Sequence, residues 1–285
     1  MTSPPGSAGL RVATLNLASG RGPGGAALAA PDLARSLAAL ADLAPDVVCL
    51  QEVDRGQPRS GGVDQAALVA GVVGADHWRF APALSGTPGP RRTWEPVAGR
   101  LAGPEALQDG ASGGGPLFGV ALLSRVPVAS WHVLALGSGR GRLPLRGVDP
   151  RTGRAAWWVF PDEPRVAVAA VLGDGSVVAC THLSFAPVTA VRQLRRLRRW
   201  LAQAPGADGA VRLLAGDLNL PGALPARVAG GQGLVRGATY PAAAPRLQLD
   251  HVLSLGAPVS AGGAVVAVAG GDHRAVVADV TPRRT

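Results

Sequence analysis

The chain has 285 residues and a formal net charge of +9, and 47% of its residues are hydrophobic. That hydrophobic content excludes a chain disordered throughout, and no apolar run reaches the roughly 18 residues that a membrane-spanning helix needs. All 28 basic residues are arginine, and neither lysine nor isoleucine occurs. The positive charge therefore reflects a biased composition and does not by itself indicate a nucleic-acid partner.

The first part of the chain has the pattern of a strand, a helix and a second strand. Residues 10–17 are a largely apolar strand, leucines recur at helical spacing over residues 33–43, and residues 47–50 form a short apolar strand. This order predicts a crossover unit with two neighbouring, parallel strands. A further helix is predicted over residues 65–73.

Two segments lack periodicity and are predicted to be irregular loops. Residues 81–116 are dense in glycine and proline, and residues 137–154 are dense in arginine and glycine. Long loops are uncommon unless they are functional or disordered. The second loop carries Arg140, Arg142, Arg146, Arg151 and Arg154. The first three of these arginines are candidate contacts to a phosphate-rich substrate.

Strands dominate the remainder of the chain. They are predicted over residues 120–123, 126–136, 166–172, 177–181, 212–215, 249–253, 264–269 and 275–280. The turn Gly173-Asp174-Gly175-Ser176 predicts a hairpin between two of them. A helix over residues 191–201 has leucines on one side and arginines on the rest, which is typical of a solvated charged face.

Several of these apolar strands end in short bursts of acidic, amide or imidazole side chains. Such groups can converge on one edge of a sheet, where catalytic loops usually lie. The residues concerned include Asn16, Glu52, His182, Asp217, Asn219, Asp250, Asp272 and His273. Glu52, Asp217, Asp272 and the Asn16 amide are oxygen donors that suit Mg²⁺ or Mn²⁺. The sequence contains no cysteine–histidine zinc spacing, nucleophile elbow or P-loop, so the pattern predicts metal-assisted attack of water on a phosphate ester.

Seven short motifs in one order then give a resemblance to a known family. They are Thr14-Leu15-Asn16, Gln51-Glu52, Leu123-Ser124-Arg125, Thr181-His182-Leu183, Gly216-Asp217-Leu218-Asn219, Leu249-Asp250-His251-Val252 and Asp272-His273-Arg274. Their order resembles the endonuclease/exonuclease/phosphatase family of metal-dependent hydrolases, the DNase I-like fold. The resemblance implies a four-layer α/β sandwich with two mixed sheets. It favours a single catalytic domain over residues 10–282, preceded by a flexible tail over residues 1–9.

The resemblance also implies a role for each polar residue. Glu52 resembles the principal metal ligand, with Asn16 and Asp272 close to the same ion. Asp217 would orient or deprotonate the attacking water, and Asn219 would hold Asp217 or the phosphate. His273 would lie beside the scissile phosphate with Asp250 fixing its orientation, and His182 would donate to a non-bridging phosphate oxygen. His251 is expected to pack.

The substrate stays open at this point. A DNA nuclease, a lipid or inositol phosphodiesterase, and a non-catalytic phosphate-binding module are the alternatives to a general phosphodiesterase or phosphomonoesterase. Trp78, Phe80 and Trp94 are the aromatic residues near the first loop, and no exposed aromatic hairpin is evident, which disfavours a lipid-directed member. The chain is expected to be a monomer. Its polar N-terminus and its two cysteines, Cys49 and Cys180 in apolar runs, favour a cytoplasmic protein.

Overall fold

The computed structural model describes residues 9–22, 25–97, 99–103, 115–148, 155–206, 210–257 and 259–283. The strands are β1 (Leu10–Asn16), β2 (Val47–Arg55), β3 (His77–Thr87), β4 (Thr93–Pro96), β5 (Leu117–Ser124), β6 (Val128–Gly137), β7 (Arg142–Val148), β8 (Ala155–Pro161), β9 (Arg165–Leu172), β10 (Val177–His182), β11 (Arg212–Asp217), β12 (Gln232–Gly233), β13 (Asp250–Ser254), β14 (Val259–Val266) and β15 (Ala275–Pro282). The helices are α1 (Ala30–Ser36), α2 (Ala38–Asp42), α3 (Gln65–Val73), α4 (Pro187–Ala202) and α5 (Leu224–Ala229).

The strands of this part of the chain form two mixed sheets and a separate hairpin. The first sheet has the order β14-β15-β1-β2-β5-β3-β4, and the second has the order β12-β13-β11-β10-β9-β6. Strands β7 and β8 pair only with each other. The expected four-layer α/β sandwich is confirmed, because helices cover the outer face of each sheet.

Alternating side chains along the strands separate the layers. In β1, Val12 faces the apolar core between the two sheets, and its neighbour Ala13 faces α1, α2 and α3. In the second sheet, Ala179 faces α4 and the adjacent Cys180 faces the first sheet. Because side chains alternate between the two faces of a strand, strands buried on both faces appear as continuous apolar runs in the sequence.

Each sheet contains one parallel pair of strands joined by helical crossover. Strands β1 and β2 run parallel, as predicted, and α1 and α2 lie between them in sequence. Strands β10 and β11 also run parallel, with α4 between them. The predicted hairpin between β9 and β10 is confirmed. In both parallel pairs, the carboxyl ends of the two strands lie at the same edge of the sheet.

The prediction of two irregular loops is wrong for parts of both segments. Strand β3 continues to Thr87 and pairs with β4, so the first segment contains a hairpin. Strands β7 and β8 form a hairpin within and beyond the second segment. Residues 98, 104–114 and 149–154, which include Arg151 and Arg154, lie outside the described residues, as do residues 1–8 of the predicted tail.

The predicted helix after β1 is divided into α1 and α2. The Ser36 hydroxyl donates to the Leu33 carbonyl at 2.7 Å, and Leu37 between the two helices has ψ near 0°. A serine hydroxyl that bonds to the preceding turn competes with the helical hydrogen bonds and bends helices. Leu33, Leu37 and Leu40 nevertheless stay on one buried face, as their spacing predicts. No described helix is long and apolar enough to cross a membrane.

Candidate active site

The two parallel strand pairs bring their carboxyl ends together across the sandwich. Asn16 lies opposite Gln51 at the end of β1 and β2, and His182 lies opposite Asp217 at the end of β10 and β11. The Asn16 Nδ2 donates to Asp217 Oδ2 at 3.1 Å, which joins the first sheet to the second. One edge of the sandwich therefore carries polar side chains from both sheets.

A bulge in β2 places Glu52 at this edge. The register of β2 against β5 shifts between Leu50 and Val53, and Glu52 has a φ of 52°. A non-glycine residue with positive φ is uncommon and strained, and it persists only where the surrounding structure fixes it. The half-buried Glu52 carboxylate accepts a hydrogen bond from Asn16 Nδ2 at 3.2 Å. Glu52 and the exposed Asp272 line the same cleft, which has a volume of about 510 Å³.

The Asn16 side chain presents its nitrogen, rather than its oxygen, to these carboxylates. Its Oδ1 accepts a hydrogen bond from the Ala18 backbone N–H at 2.9 Å, which fixes the amide orientation. The sequence led us to expect an amide oxygen close to a metal ion. In the structure Asn16 instead donates to both Glu52 and Asp217.

Asp217 is the centre of the polar cluster. It is buried, and its Oδ1 accepts a hydrogen bond from the Asn219 backbone N–H at 3.0 Å. Its Oδ2 lies 3.4 Å from His182 Nε2 and 3.8 Å from His273 Nε2. Burial, reinforced by the charge of Asp250, raises the pKa of Asp217 to about 7, although His273, Asn219 and Asn16 partly offset the rise. The carboxyl group can therefore gain or lose a proton near neutral pH.

His273 forms a tight pair with Asp250. The His273 Nδ1 lies 2.7 Å from Asp250 Oδ2, and both side chains are buried. Burial lowers the pKa of His273, but the hydrogen bond and charge of Asp250 outweigh it. Together with the charges of Asp217 and Asp272 they raise this pKa to about 10. The imidazole is thus held as a cation that donates Nδ1–H to Asp250 and directs Nε2–H toward Asp217.

The pKa of His182 is shifted in the opposite direction to that of His273. Burial, followed by the positive charges of Arg165 and His273, lowers its pKa well below 6.5, so this imidazole is neutral. The Asn219 Nδ2 donates to the Leu183 carbonyl at 2.9 Å and lies 3.1 Å from His182 Nε2. Because the carbonyl fixes the Asn219 amide with its nitrogen toward the ring, Nε2 accepts and the ring proton lies on Nδ1.

Gly216 is required by the close approach of β10 and β11. Its φ is 150°, and a Cβ at this position would clash with the Thr181 carbonyl oxygen. A larger residue would push the two strands apart, and with them His182 and Asp217. The glycine in the Gly216-Asp217 motif therefore serves the geometry of the neighbouring carboxylate.

Two groups of residues have the chemistry to hold a divalent cation. Glu52 and Asp272 face the open cleft. Asp217, Asp250 and His273 each offer a ligand atom, and these atoms lie within 4.8 Å of one another. Both groups contain the hard oxygen donors that Mg²⁺ and Mn²⁺ prefer.

The family model described as "Endonuclease/Exonuclease/phosphatase family" matches residues 13–273. The chain belongs to the endonuclease/exonuclease/phosphatase family. No curated protein matches the chain significantly. Members of the family are hydrolases of phosphate esters that generally depend on a divalent metal, and the site described above has the residue types for that chemistry.

Solved structures of the endonuclease/exonuclease/phosphatase family share the fold at low sequence identity. A protein of the family from Beutenbergia cavernae is 21% identical with a TM-score of 0.59, covering 97% of this chain and 72% of that one. D. rerio TDP2, complexed with a single-strand DNA product, is 15% identical with a TM-score of 0.55 and coverage of 96% and 100%. Sphingomyelinase C from Streptomyces griseocarneus is 17% identical with a TM-score of 0.56 and coverage of 96% and 99%. At these identities the likeness establishes the fold alone.

Sequence analysis missed two residues next to the cluster. Arg165 begins β9, is buried, and lies 3.6 Å from the Glu163 carboxylate, and its charge lowers the pKa of His182. The signal was an arginine directly before an otherwise apolar strand. The Tyr240 ring contacts the His273 ring in a tilted arrangement, with ring centroids 4.8 Å apart and an interplanar angle of 42°. It lies outside every family motif, so only the folded chain shows this contact.

Among the described side chains, the predicted substrate arginines Arg140 and Arg142 make no contact with the polar cluster. Arg140 and Arg142 are exposed, and the Arg142 guanidinium donates to the Pro90 carbonyl at 3.5 Å. Arg146 lies in β7, and its side chain is outside the described part of the structure. His251 packs as expected, since its Nε2 lies 3.0 Å from the Leu220 carbonyl oxygen and it lines a separate cleft.

Proposed function

We propose that the chain is a divalent-metal-dependent phosphoesterase that hydrolyses a phosphodiester, or a phosphomonoester, by attack of water with Mg²⁺ or Mn²⁺ bound. The observation that carries this proposal is the position of Asp217. It is a buried carboxyl group with a pKa near 7 that contacts Asn16 of the first sheet and lies beside one cationic and one neutral histidine. A carboxyl group that serves only in a structural ion pair does not need a pKa near neutral pH, whereas a group that accepts a proton during a reaction does.

We place the cation at Glu52 and Asp272 rather than among Asp217, Asp250 and His273. Mg²⁺ keeps several water ligands, which the open cleft beside Glu52 and Asp272 has room to hold. The other group is fully buried, and its His273–Asp250 hydrogen bond already occupies the ring nitrogen and one carboxylate oxygen. The strained backbone of Glu52 also supports a functional role for its carboxylate.

When bound there, the cation would supply positive charge to a phosphate oxygen and to the developing charge of the reaction. The protein side chains would handle the proton. Asp217 orients the attacking water and accepts its proton while the new P–O bond forms. The Asn219 backbone N–H and the Asn16 amide hold the carboxylate in place during this step.

His273 serves as the acid in this mechanism. Its Nε2–H points toward Asp217 and the cleft edge, while Asp250 keeps the ring charged and oriented. It donates to the phosphate or to the departing oxygen as the P–O bond to the leaving group breaks. His182 accepts a hydrogen bond from the Asn219 amide at Nε2 and so fixes Asn219, whose backbone N–H holds Asp217, which makes His182 a positioning residue in this arrangement.

One observation favours a lipid phosphodiesterase as the second candidate. Trp157 and Val159 in β8 are 71% and 50% exposed, so the structure contains the exposed aromatic hairpin that the sequence did not reveal. This exposed hairpin removes the observation that disfavoured a lipid substrate. A DNA nuclease gains no comparable support, because Trp78, Phe80 and Trp94 are buried and cannot act as stacking platforms. A cytoplasmic, monomeric protein stays a prediction.

The proposal is tested by a substrate panel with and without chelator. The panel contains bis(p-nitrophenyl) phosphate, plasmid DNA, abasic-site DNA, sphingomyelin and inositol phosphates. We expect hydrolysis of at least one compound that stops on chelation and returns with Mg²⁺ or Mn²⁺. Asp217→Asn should lower the rate by about 100-fold or more, since a general base contributes roughly 10²–10⁴-fold.

The matched control is Asp174→Asn, which changes an exposed turn carboxylate away from the cluster and should leave the rate unchanged. Hydrolysis that survives complete metal removal, or an Asp217→Asn variant as active as the native chain, would contradict the mechanism. A folded chain that binds phosphate esters but hydrolyses none of them would favour the non-catalytic module.

A further inference from the structure

The cleft beside Glu52 and Asp272 extends well beyond the polar cluster. Its volume of about 510 Å³ lies in the range of sites for small organic ligands. Alanine and glycine make up most of its walls, including Gly22, Ala243, Ala267 and Gly270, and small side chains leave the space open. The described lining residues include no aromatic ring, so stacking does not contribute to recognition in this cleft.

Charge is distributed unevenly among the residues that line the cleft. Glu52 and Asp272 are the acidic ones, and Arg21 is the one basic side chain among the described lining residues. Arg21 is exposed, and no carboxylate of the described residues lies within ion-pair distance of its guanidinium. An arginine without a partner in a cleft offers a planar set of donors that matches a phosphate group.

The backbone that carries Arg21 is rigidly held. The Arg21 N–H donates to the Ala18 carbonyl at 3.2 Å, and the Arg21 carbonyl accepts from the Gly271 N–H at 2.6 Å. Ala18 and Ser19 in the preceding turn have φ values of 47° and 58°, a conformation that is uncommon for residues other than glycine and persists where neighbouring groups fix it. The turn starts from the Ala18 N–H bond to Asn16, so the position of Arg21 is linked directly to the polar cluster.

We propose that this cleft binds the organic group of the substrate and that Arg21 binds a second phosphate on that group. The inference rests on the proposed function, because it takes the scissile phosphate to lie at Glu52 and Asp217. Arg21 is then a specificity-determining residue. The preferred substrate carries a second phosphate on the organic group that fills this cleft of about 510 Å³.

The test compares two chromogenic esters that differ by one phosphate. Thymidine 5′-(p-nitrophenyl phosphate) carries the scissile group alone, and its 3′-phosphorylated form carries the second phosphate. We expect the second phosphate to lower KM by about tenfold or more, as a charge-assisted hydrogen bond does. Arg21→Ala should abolish this gain, so that the KM values of the two esters become equal, and Arg21→Lys should restore part of it.

The matched control is Arg236→Ala, an exposed arginine that lines the separate cleft beside His251. It should leave the preference for the second phosphate intact. Ala267→Phe, which narrows the cleft from its exposed wall, should raise KM for both nucleoside esters and spare the small methyl p-nitrophenyl phosphate. If an oligonucleotide that carries a phosphate at the next position shows the same decrease in KM, the second phosphate comes from a nucleic-acid strand.

Binding measurements separate this inference from the proposed function. In calorimetry, thymidine 3′,5′-bisphosphate should bind the native chain at least tenfold more tightly than thymidine 5′-phosphate, and Arg21→Ala should equalise the two. If neither ester is hydrolysed but this difference holds, the inference stands and the proposed function fails. If both esters are hydrolysed and Arg21→Ala changes nothing, or lowers kcat equally on both, the inference is overturned.

Discussion

At the scale of single residues, strain and charge mark the same few positions. Glu52 adopts a positive φ, Asp217 is a buried carboxyl with a pKa near 7, and His273 is a buried cation. Each of these features costs folding free energy unless neighbouring groups compensate for it. Their concentration at one edge of the sandwich is what a catalytic site requires and what a purely structural contact does not explain.

The strained backbone at Glu52 predicts that a glycine variant is more stable than an alanine variant at this position. Replacing an L-residue at positive φ by glycine removes a penalty of about 1 kcal/mol, so Glu52→Gly should be more stable than Glu52→Ala by about that amount. Urea unfolding of the two metal-free variants measures the difference. At Glu95, in β4 with no positive φ, alanine should instead be the more stable by about 0.5–1 kcal/mol. If alanine is the more stable replacement at position 52 as well, Glu52 is unstrained.

The charge of His273 predicts how stability depends on pH. Because its pKa is raised from 6.5 to about 10 in the folded state, the folded chain binds more protons than the unfolded chain between these values. This stabilisation is fully present below about pH 6.5 and is lost as pH rises through 10. Urea unfolding of the native chain and of His273→Gln, without metal, should show the stability difference shrinking across that window. Parallel curves would mean that His273 is not a cation in the fold.

The polar residues of the site were largely predictable from sequence, for a physical reason. Asn16, His182 and Asp217 each end an apolar strand, and apolar strands are strong signals. Arg165 and Tyr240 were not predictable, because their contacts with the cluster depend on how distant segments pack. The orientation of the Asn16 amide was also out of reach, since it is decided by a hydrogen bond from the Ala18 backbone.

At the scale of elements, two irregular features present the residues on which the proposals rest. The bulge in β2 aims Glu52 at the cleft, and the β7–β8 hairpin stands apart from both sheets. The hairpin was missed because its arginine- and glycine-rich first strand has the composition of a loop. Its second strand contains Trp157, Trp158 and Phe160, a β-forming composition whose partner strand was not recognised.

The exposed face of this hairpin predicts its effect on a lipid substrate. If the chain acts at a lipid surface, Trp157→Ser should weaken binding to sphingomyelin and phosphatidylcholine vesicles by about tenfold, because a large exposed apolar side chain is lost. Co-sedimentation with vesicles measures the change. Val188→Ser removes another exposed apolar residue, 72% exposed at the start of α4, and should have no effect. Equal binding by all three proteins would remove the support for the lipid alternative.

At the scale of the whole molecule, the sandwich brings one edge of each sheet together. The parallel pairs β1–β2 and β10–β11 each end in polar residues, and packing the sheets face to face brings Asn16 and Asp217 within hydrogen-bonding distance. The crossover between β1 and β2 was predicted, because parallel strands need a helical connection, whereas the crossover between β10 and β11 was not. The alignment of the two sheets could not be predicted, because it depends on how side chains from distant segments pack in the shared core.

The most direct test of this account is the position of a divalent ion in the folded chain. Crystals grown with Mn²⁺ and measured for anomalous scattering should show a peak about 2.0–2.2 Å from a Glu52 carboxylate oxygen, a typical distance for such ions. Asp272 should lie beside it, and the hydrogen bond between His273 and Asp250 should be intact. A peak among Asp217, Asp250 and His273 instead, or no peak while the protein hydrolyses its substrate, would contradict the central claim.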